Sequence, residues 1–282
     1  MPLTPTDDII RPARTAGTGV GAFNVVQVEH AEAIVAGAES AGLPVILQIS
    51  ENTARYHGSL AVIGSAALAA ARAARVPVAV HLDHAESASP ASLVREAVEL
   101  GFTSVMFDAS KSSYSENLAA TAAVTSSCRR QGVWVEAELG EVGGKDGAHA
   151  PGARTDPKEA RAFVEVTTVD ALAVAVGSSH AMRTRDAALD FALIGRLREA
   201  VDVPLVLHGS SGVGDTDLAK AVESGKVNIS THLNALFTRS VRDHLAAHPE
   251  AVDPRTYLGR ARDAVAEEVA RLLSLLARTD VA

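Results

Sequence analysis

The sequence predicts an α/β fold, a (β/α)8 TIM barrel with additional C-terminal helices, and three observations carry that reading. Eight short apolar runs recur at fairly even intervals. Between most of them lie stretches rich in Ala, Glu and Arg with helical period. The Gly-x-Gly-x-x-Gly turn that opens a doubly wound sheet is missing after the first run, which favours closure over an open sheet. At 282 residues the chain is long for one domain but ordinary for a barrel, so 1–282 is read as a single unit.

Taken in order, the runs are GAFNV (21–25), PVILQIS (44–50), PVAVHLD (77–83), SVMFDAS (104–110), VWVEAEL (133–139), ALAVAVG (171–177), PLVLHGS (204–210) and KVNIST (226–231). Each is nearly continuous in apolar residues and bounded by Gly, Pro or polar residues, as strands buried on both faces should be. The segments VEHAEAIVAGAESAG and PASLVREAVELG read as helices, and Gly42, Gly101 and Gly132 stand where C-cap glycines belong. The irregular segment from Gly140 to about Pro157 contains five glycines and follows the fifth run, so it is read as a mobile active-site lid. From about Leu233 the chain reads as helices, including the amphipathic ARDAVAEEVARLLSLLA, which either close the barrel or serve oligomer contacts.

Composition excludes several classes. Hydrophobic residues make up 47% and aromatics 4%, so the core must be built from Ala, Val, Leu and Ile. A net charge of −8 leaves no basic stripe to neutralise phosphodiesters, which argues against nucleic acid but not against small phosphorylated substrates. Cys128 is the lone cysteine, so no intrachain disulfide forms. No stretch of 18 apolar residues and no signal-peptide core are present, so no membrane is expected and the location is read as cytoplasmic.

In such a barrel the chemistry collects where strands end and βα loops begin. Those ends carry Ser50, Asp83-His84, Asp108, Glu136 and Glu138, Gly177 to His180, His208 to Ser211, and Asn228 to Thr231. Three of ten histidines, His84, His180 and His208, thus share one rim, and three imidazoles with an open fourth position form the ligand set of a catalytic zinc. A single rim histidine reads more readily as structural; three at equivalent positions reverse that weighting. Asp83, beside a ligand, reads as an acid/base, with a second reading as an acceptor that orients a ligating histidine. His81 lies deeper on the same face and is expected to buttress Asp83. The loops HGSSGVG and NIST, after the last two strands, offer small residues and free amides to a phosphate.

The motifs VHLDHAES, VEAELGEVGG, AVGSSHAM, VLHGSSGV and KVNISTHLN closely resemble, in order and spacing, those of the class II, zinc-dependent fructose-bisphosphate and tagatose-bisphosphate aldolases. The resemblance runs from GVGAFNV to DPRTYLGRARDAV. It implies a lyase that reversibly cleaves fructose 1,6-bisphosphate, or tagatose 1,6-bisphosphate, to dihydroxyacetone phosphate and glyceraldehyde 3-phosphate through a metal-stabilised enediolate. It assigns Zn2+ to His84, His180 and His208, and a second divalent metal or a monovalent cation near Asp108 and Glu138. Asp83 matches the proton donor at the cleaved carbon. Ser50, Ala181, Gly209, Ser210, Ser211, Asn228, Ile229, Ser230 and Thr231 match substrate-binding positions, and Arg255 matches an arginine for the far phosphate. Sugar phosphates are the implied partners, and a homodimer or homotetramer the implied assembly.

Three positions depart from the pattern. Where many relatives carry acidic residues after the lid glycines, this chain has Lys145-Asp146, so Asp146 is the implied proton-abstracting group. Ala181 replaces a common glycine, and Ser230 stands where some members have Asp. A Schiff-base aldolase would need a desolvated lysine. Lys226 begins its strand and is expected at the wrong end, which leaves Lys111 as the sole candidate. A metal-dependent hydrolase is disfavoured because the first run lacks His-x-His. A non-catalytic barrel subunit or binding module of a sugar-phosphate pathway is the alternative, and the intact histidine set with Asp83 counts against it.

Overall fold

Each of the eight apolar runs becomes a strand, and the strands pair in parallel, in chain order, into a closed barrel. A computed structural model describes residues 2–86, 90–139, 153–179, 182, 184–222 and 225–278. The strands are β1 (Val20–Asn24), β2 (Val45–Ser50), β3 (Val78–Glu86), β4 (Ser104–Asp108), β5 (Trp134–Leu139), β6 (Ala171–Val174), β7 (Leu205–Leu207) and β8 (Gly225–Ile229). β8 pairs back onto β1, Val20 against Lys226, so no edge is left open. The sequence placed every strand within a few residues; β3 alone runs three residues further than expected.

Helices α1 (Thr6–Ala16), α2 (Val28–Ala41), α3 (Glu51–His57), α4 (Leu60–Ala73), α5 (Pro90–Leu100), α6 (Tyr114–Arg129), α7 (Pro157–Thr167), α8 (Phe191–Ala200), α9 (Asp215–Ala221), α10 (Thr231–Ala247) and α11 (Pro254–Leu276) accompany them. Local chemistry sets the helix ends. Asp156 accepts the N–H groups of Lys158 and Glu159 and so starts α7 at Pro157, where the sequence ended the irregular segment. Gly42 closes α2 in the left-handed conformation at φ 65°. No helix of the described residues is long and apolar enough to cross a membrane.

Two apolar layers result. Alternate strand residues such as Val78, Val80, Leu82, Val105 and Val135 face the helices. The opposite set, including Ala22, Ile46, Ala79, Met106, Trp134, Ala171, Ala173 and Val206, fills the lower lumen. Ile9 and Ile10 of α1 join this second layer and plug the N-terminal mouth. Nothing in the sequence marked α1 as a plug. In the C-terminal region α11 lies against α2: a side chain at Gly37 would come within 2.5 Å of Ala266 O, so glycine lets the two helices approach.

Candidate active site

Simple alternation would send Asp83 into the lumen and His84 out among the helices. A bulge in β3 prevents this. Leu82 pairs with Val105 and Ala85 with Phe107, so β3 uses three residue steps where β4 uses two. Leu82 and Ala85 both pack in the helix-facing core, while the extra residue, His84, takes φ 50° and joins Asp83 on the inner side. A left-handed conformation at a histidine costs about 1–2 kcal/mol. Buried Glu51 holds the far end of the bulge, its Oε2 accepting the Glu86 N–H at 2.7 Å. Ionisable residues crowd the end of this strand because the bulge turns two neighbours toward one point.

His84 meets His208 there, with His84 Nε2 3.1 Å from His208 Nδ1. Each ring gives its other nitrogen to a carboxylate. Asp108 Oδ2 lies 2.8 Å from His84 Nδ1, and Glu136 Oε1 lies 2.8 Å from His208 Nε2. An ionised carboxylate only accepts, so those outer nitrogens carry the hydrogens and the two facing nitrogens present lone pairs. Two lone pairs in close approach call for a cation between them. Imidazole nitrogens about 2.0 Å from a tetrahedral ion stand roughly 3.3 Å apart, close to the spacing here. Burial lowers the pKa of His208, which keeps that ring neutral and able to ligate. Asp83, His84 and His208 form one group of converging donor atoms, and His84, Asp108 and Glu138 form another. The residues fit a divalent metal.

Asp83 is buried beside this pair, its Oδ1 4.0 Å from His84 Nε2 and without a hydrogen bond among the described residues. Asn24 donates Nδ2–H to Asp83 Oδ2 at 3.0 Å, and Gln48 donates to Asn24 Oδ1 at 2.6 Å. Burial opposes ionisation of Asp83, but positive charge at His84 and His208, present when those rings are protonated, and the Lys226 ammonium more than offset it and hold the carboxyl below its usual range. One oxygen is therefore fixed while the other points, charged, into the site. Sequence reasoning missed Asn24 and Gln48, although a single amide in an otherwise apolar strand was the available signal. The buttress expected of His81 falls to Asn24 instead. His81 turns its Nδ1 to Ser104 Oγ at 2.8 Å and its Nε2 to Lys226 Nζ at 3.4 Å.

The second correction concerns Lys226. Expected at the wrong end of its strand, it lies fully buried in the lumen with Nζ 2.7 Å from Glu136 Oε2. Its length carries the ammonium up from the start of β8 to the layer below the histidines. Burial would raise the Glu136 pKa, but Lys226 and then His208 pull it down to about 2. Lys111, the sole lysine left to the rival Schiff-base reading, is exposed and faces Glu86 at 3.4 Å.

The side where the sequence placed a phosphate is built from β7, β8 and the start of α10. Gly209 has φ 66°, and a Cβ there would come 2.5 Å from Ser179 O, so only glycine lets this turn pass the segment that follows β6. Ser210 donates to Leu207 O at 2.9 Å. Ser211 Oγ accepts from the N–H groups of Ser230 (3.2 Å) and His232 (3.1 Å), tying the turn to the helix start. Thr231 opens α10, whose N-terminus faces this rim and favours an anion. The Asn228 side-chain amide lies 3.1 Å from His208 Nε2. Ile229 packs its side chain into the helix-facing core and leaves only main-chain groups to the site. Ser50 pairs in register with Asp83 and caps α3 through the Thr53 N–H.

Not every expected residue joins the cluster. Arg255 lies in the first turn of α11, exposed and paired with Asp253 at 2.6 Å. His180, Ala181 and Asp146, with residues 140–152 of the expected lid, fall outside the described residues.

Comparisons with known proteins bear on the family and the fold. The model of the class-II fructose-bisphosphate aldolase family matches residues 4–280. The chain is 40% identical over 275 residues to a probable fructose-bisphosphate aldolase of Bacillus subtilis strain 168, covering 95% of each. It is 39% identical over 297 residues to the fructose-bisphosphate aldolase of Thermus caldophilus, covering 95% of this chain and 96% of that protein. The solved YdjI aldolase from Escherichia coli K12 superimposes with a TM-score of 0.84 at 30% identity over 97% of both chains.

Proposed function

The chain belongs to the class II fructose-bisphosphate aldolase family, and from that premise we propose a zinc-dependent enzyme that cleaves fructose 1,6-bisphosphate reversibly to dihydroxyacetone phosphate and glyceraldehyde 3-phosphate. It is a class II aldolase, a carbon–carbon lyase. The observation that carries the metal reading is the pair of facing lone pairs on His84 and His208, each fixed by a carboxylate on the opposite nitrogen. His84 and His208 would hold the ion with His180 as the third imidazole, supplying a Lewis acid for negative charge developing on the ketose carbonyl oxygen.

Asp83 then acts on the proton. In cleavage it takes the proton of the C4 hydroxyl while the C3–C4 bond breaks, its electron pair stays with C3, and C4 becomes the aldehyde carbon; in condensation Asp83 returns that proton. Asn24 aims the carboxylate by holding Oδ2. Asn228 lies beside His208, where a side-chain amide can donate to charge on the three-carbon fragment. The Gly209–Ser211 turn, Ser230 and Thr231 offer amides and hydroxyls to one phosphate, with Ser50 near the same fragment. Asp146 is the proposed partner for the proton at C3, and Arg255 for the second phosphate. Asp108 and Glu138 would take a second divalent or a monovalent cation. We read the chain as a single barrel domain, acting in the cytoplasm as a homodimer or homotetramer.

A coupled cleavage assay tests the proposal. Metal-depleted and zinc-restored enzyme are each offered fructose 1,6-bisphosphate and its C4 epimer, tagatose 1,6-bisphosphate. The expected result is cleavage of the fructose sugar that disappears on chelation and returns with zinc. Full turnover by rigorously demetallated enzyme refutes the metal reading, and a preference for tagatose refutes the substrate.

A further inference from the structure

Below the histidines lies a pair of buried charges that the proposed reaction leaves unused. Lys226 and Glu136 are fully buried, 2.7 Å apart, above a lumen layer of Ala, Ile, Met and Val. Exchanging a buried ion pair for apolar residues of similar volume is often neutral or stabilising, so stability alone gives no reason for charge at this level. The other side of the carboxylate gives one. While Oε2 receives Lys226, Oε1 receives His208 Nε2–H at 2.8 Å. Glu136 reaches β7 from β5 because β6 between them turns only Ala171 and Ala173 to the lower lumen. His81 steadies the lysine from β3, its Nε2 3.4 Å from Nζ, and is itself anchored through Ser104 to Thr6 of the plugging helix.

We infer that Lys226 is a positioning residue for the metal site: by pinning Glu136 across the lumen it keeps the carboxylate on His208 Nε2–H and turns His208 Nδ1 toward the ion. The inference rests on the metal-dependent reading above. Outer partners of ligating histidines commonly change metal affinity by about 10–100-fold when removed. Lys226 acts one step further out, through the anchoring of such a partner. Without the ammonium, an anionic carboxylate in this dry layer has lost its counter-charge, and its hold on His208 goes with it.

Metal affinity distinguishes this role from plain structural support. Co2+ is titrated into metal-depleted protein, reading the d–d spectrum and competition with a chromophoric chelator, alongside thermal unfolding of the metal-free form. Lys226→Met is expected to weaken Co2+ binding about 10–100-fold, while Lys226→Met combined with Glu136→Gln recovers most of the affinity, because a neutral amide still accepts from Nε2–H. A lower metal-free Tm with unchanged affinity overturns the inference. Should Lys226→Met alone fail to fold, two charge-neutral lumens decide. Lys226→Met with Glu136→Gln should bind about 10–100-fold more tightly than Lys226→Met with Glu136→Leu, and equal binding overturns the inference. Wild-type protein that binds neither Co2+ nor Zn2+ overturns the metal reading itself, whereas tight wild-type binding with an unaffected Lys226→Met overturns this step alone.

Discussion

Nε2 of His84 and Nδ1 of His208 face one another at 3.1 Å, on rings whose outer nitrogens are held by Asp108 and Glu136. The two carboxylates fix which nitrogen of each ring is open, so the site is set for a cation before one arrives. Asp108→Ala should therefore weaken metal binding by about 10–100-fold. Asp108→Asn, which keeps an accepting oxygen, should lose less. Equilibrium dialysis against zinc at fixed pH separates the two, and identical losses would show that the charge of Asp108, rather than its hold on Nδ1, is what matters.

Asp83 and its partner Asn24 should separate proton transfer from metal binding. Asp83→Ala is expected to retain zinc and lose turnover by roughly 100-fold or more, since a positioned general acid/base contributes on that order. Asn24→Ala leaves the carboxylate in place but frees Oδ2, so a smaller loss of kcat with unchanged zinc content is expected. Zinc content and kcat are measured on the same preparations. Equal zinc loss in Asp83→Ala and His84→Ala would refute this division of labour.

Much of this was legible in the sequence because a parallel barrel strand has two buried faces, so its apolar run is conspicuous and its polar end more so. The eight strands and the rim positions of Asp83, His84, Asp108 and His208 follow from that contrast. Parity was less legible. His84 reaches the lumen only through a bulge at φ 50°, and no residue type in LDHAE announces the extra step. Lys226 misled because its Cα sits low on β8, whereas a four-carbon stem carries the charge up beneath the histidines. Asn24 and Gln48 were single amides in apolar runs, a signal that gains meaning only when register sets them side by side and Asn24 reaches Asp83.

The lumen charges also predict an acid-sensitive fold. Burial and then Lys226 lower His81 to about 3, so the unfolded ring takes up a proton below pH 6.5 that the folded ring refuses. Glu136 titrates at about 2 when folded and near 4.5 when not. In both cases the unfolded state binds more protons, so stability falls as pH drops, first from 6.5 toward 3 and then from 4.5 toward 2. Urea unfolding of metal-free protein in steps from pH 7 to 4 reads the slope. His81→Gln should flatten the part above pH 5, and an unchanged slope there would remove His81 from the account.

Arg255 offers a test on the far phosphate. It is exposed and forked onto Asp253, so Arg255→Ala should leave the fold intact. If it meets the second phosphate, the variant raises KM for the bisphosphate sugar far more than it slows proton exchange on dihydroxyacetone phosphate. Isotope exchange and the cleavage assay are run in parallel. An equal collapse of both places Arg255 elsewhere in the mechanism.

Ser211 bears on the near phosphate. Its Oγ accepts from Ser230 N–H and His232 N–H at the start of α10, so one hydroxyl joins the β7 turn to the helix end that favours an anion. Ser211→Ala removes that acceptor and lets the turn and the helix start move apart. A lost hydrogen bond to backbone costs about 1 kcal/mol of stability, a modest change, whereas a displaced amide loses its aim on the phosphate. The variant should thus show weaker binding of dihydroxyacetone phosphate, about tenfold by calorimetry, with zinc content unchanged. Gly209→Ala should be harsher, because its Cβ meets Ser179 O at 2.5 Å and its φ of 66° disfavours a side chain, so the turn that carries His208 into the site must shift. Loss of zinc in Gly209→Ala but not in Ser211→Ala is the expected pattern. Undiminished phosphate binding by Ser211→Ala would place the anion away from the α10 start.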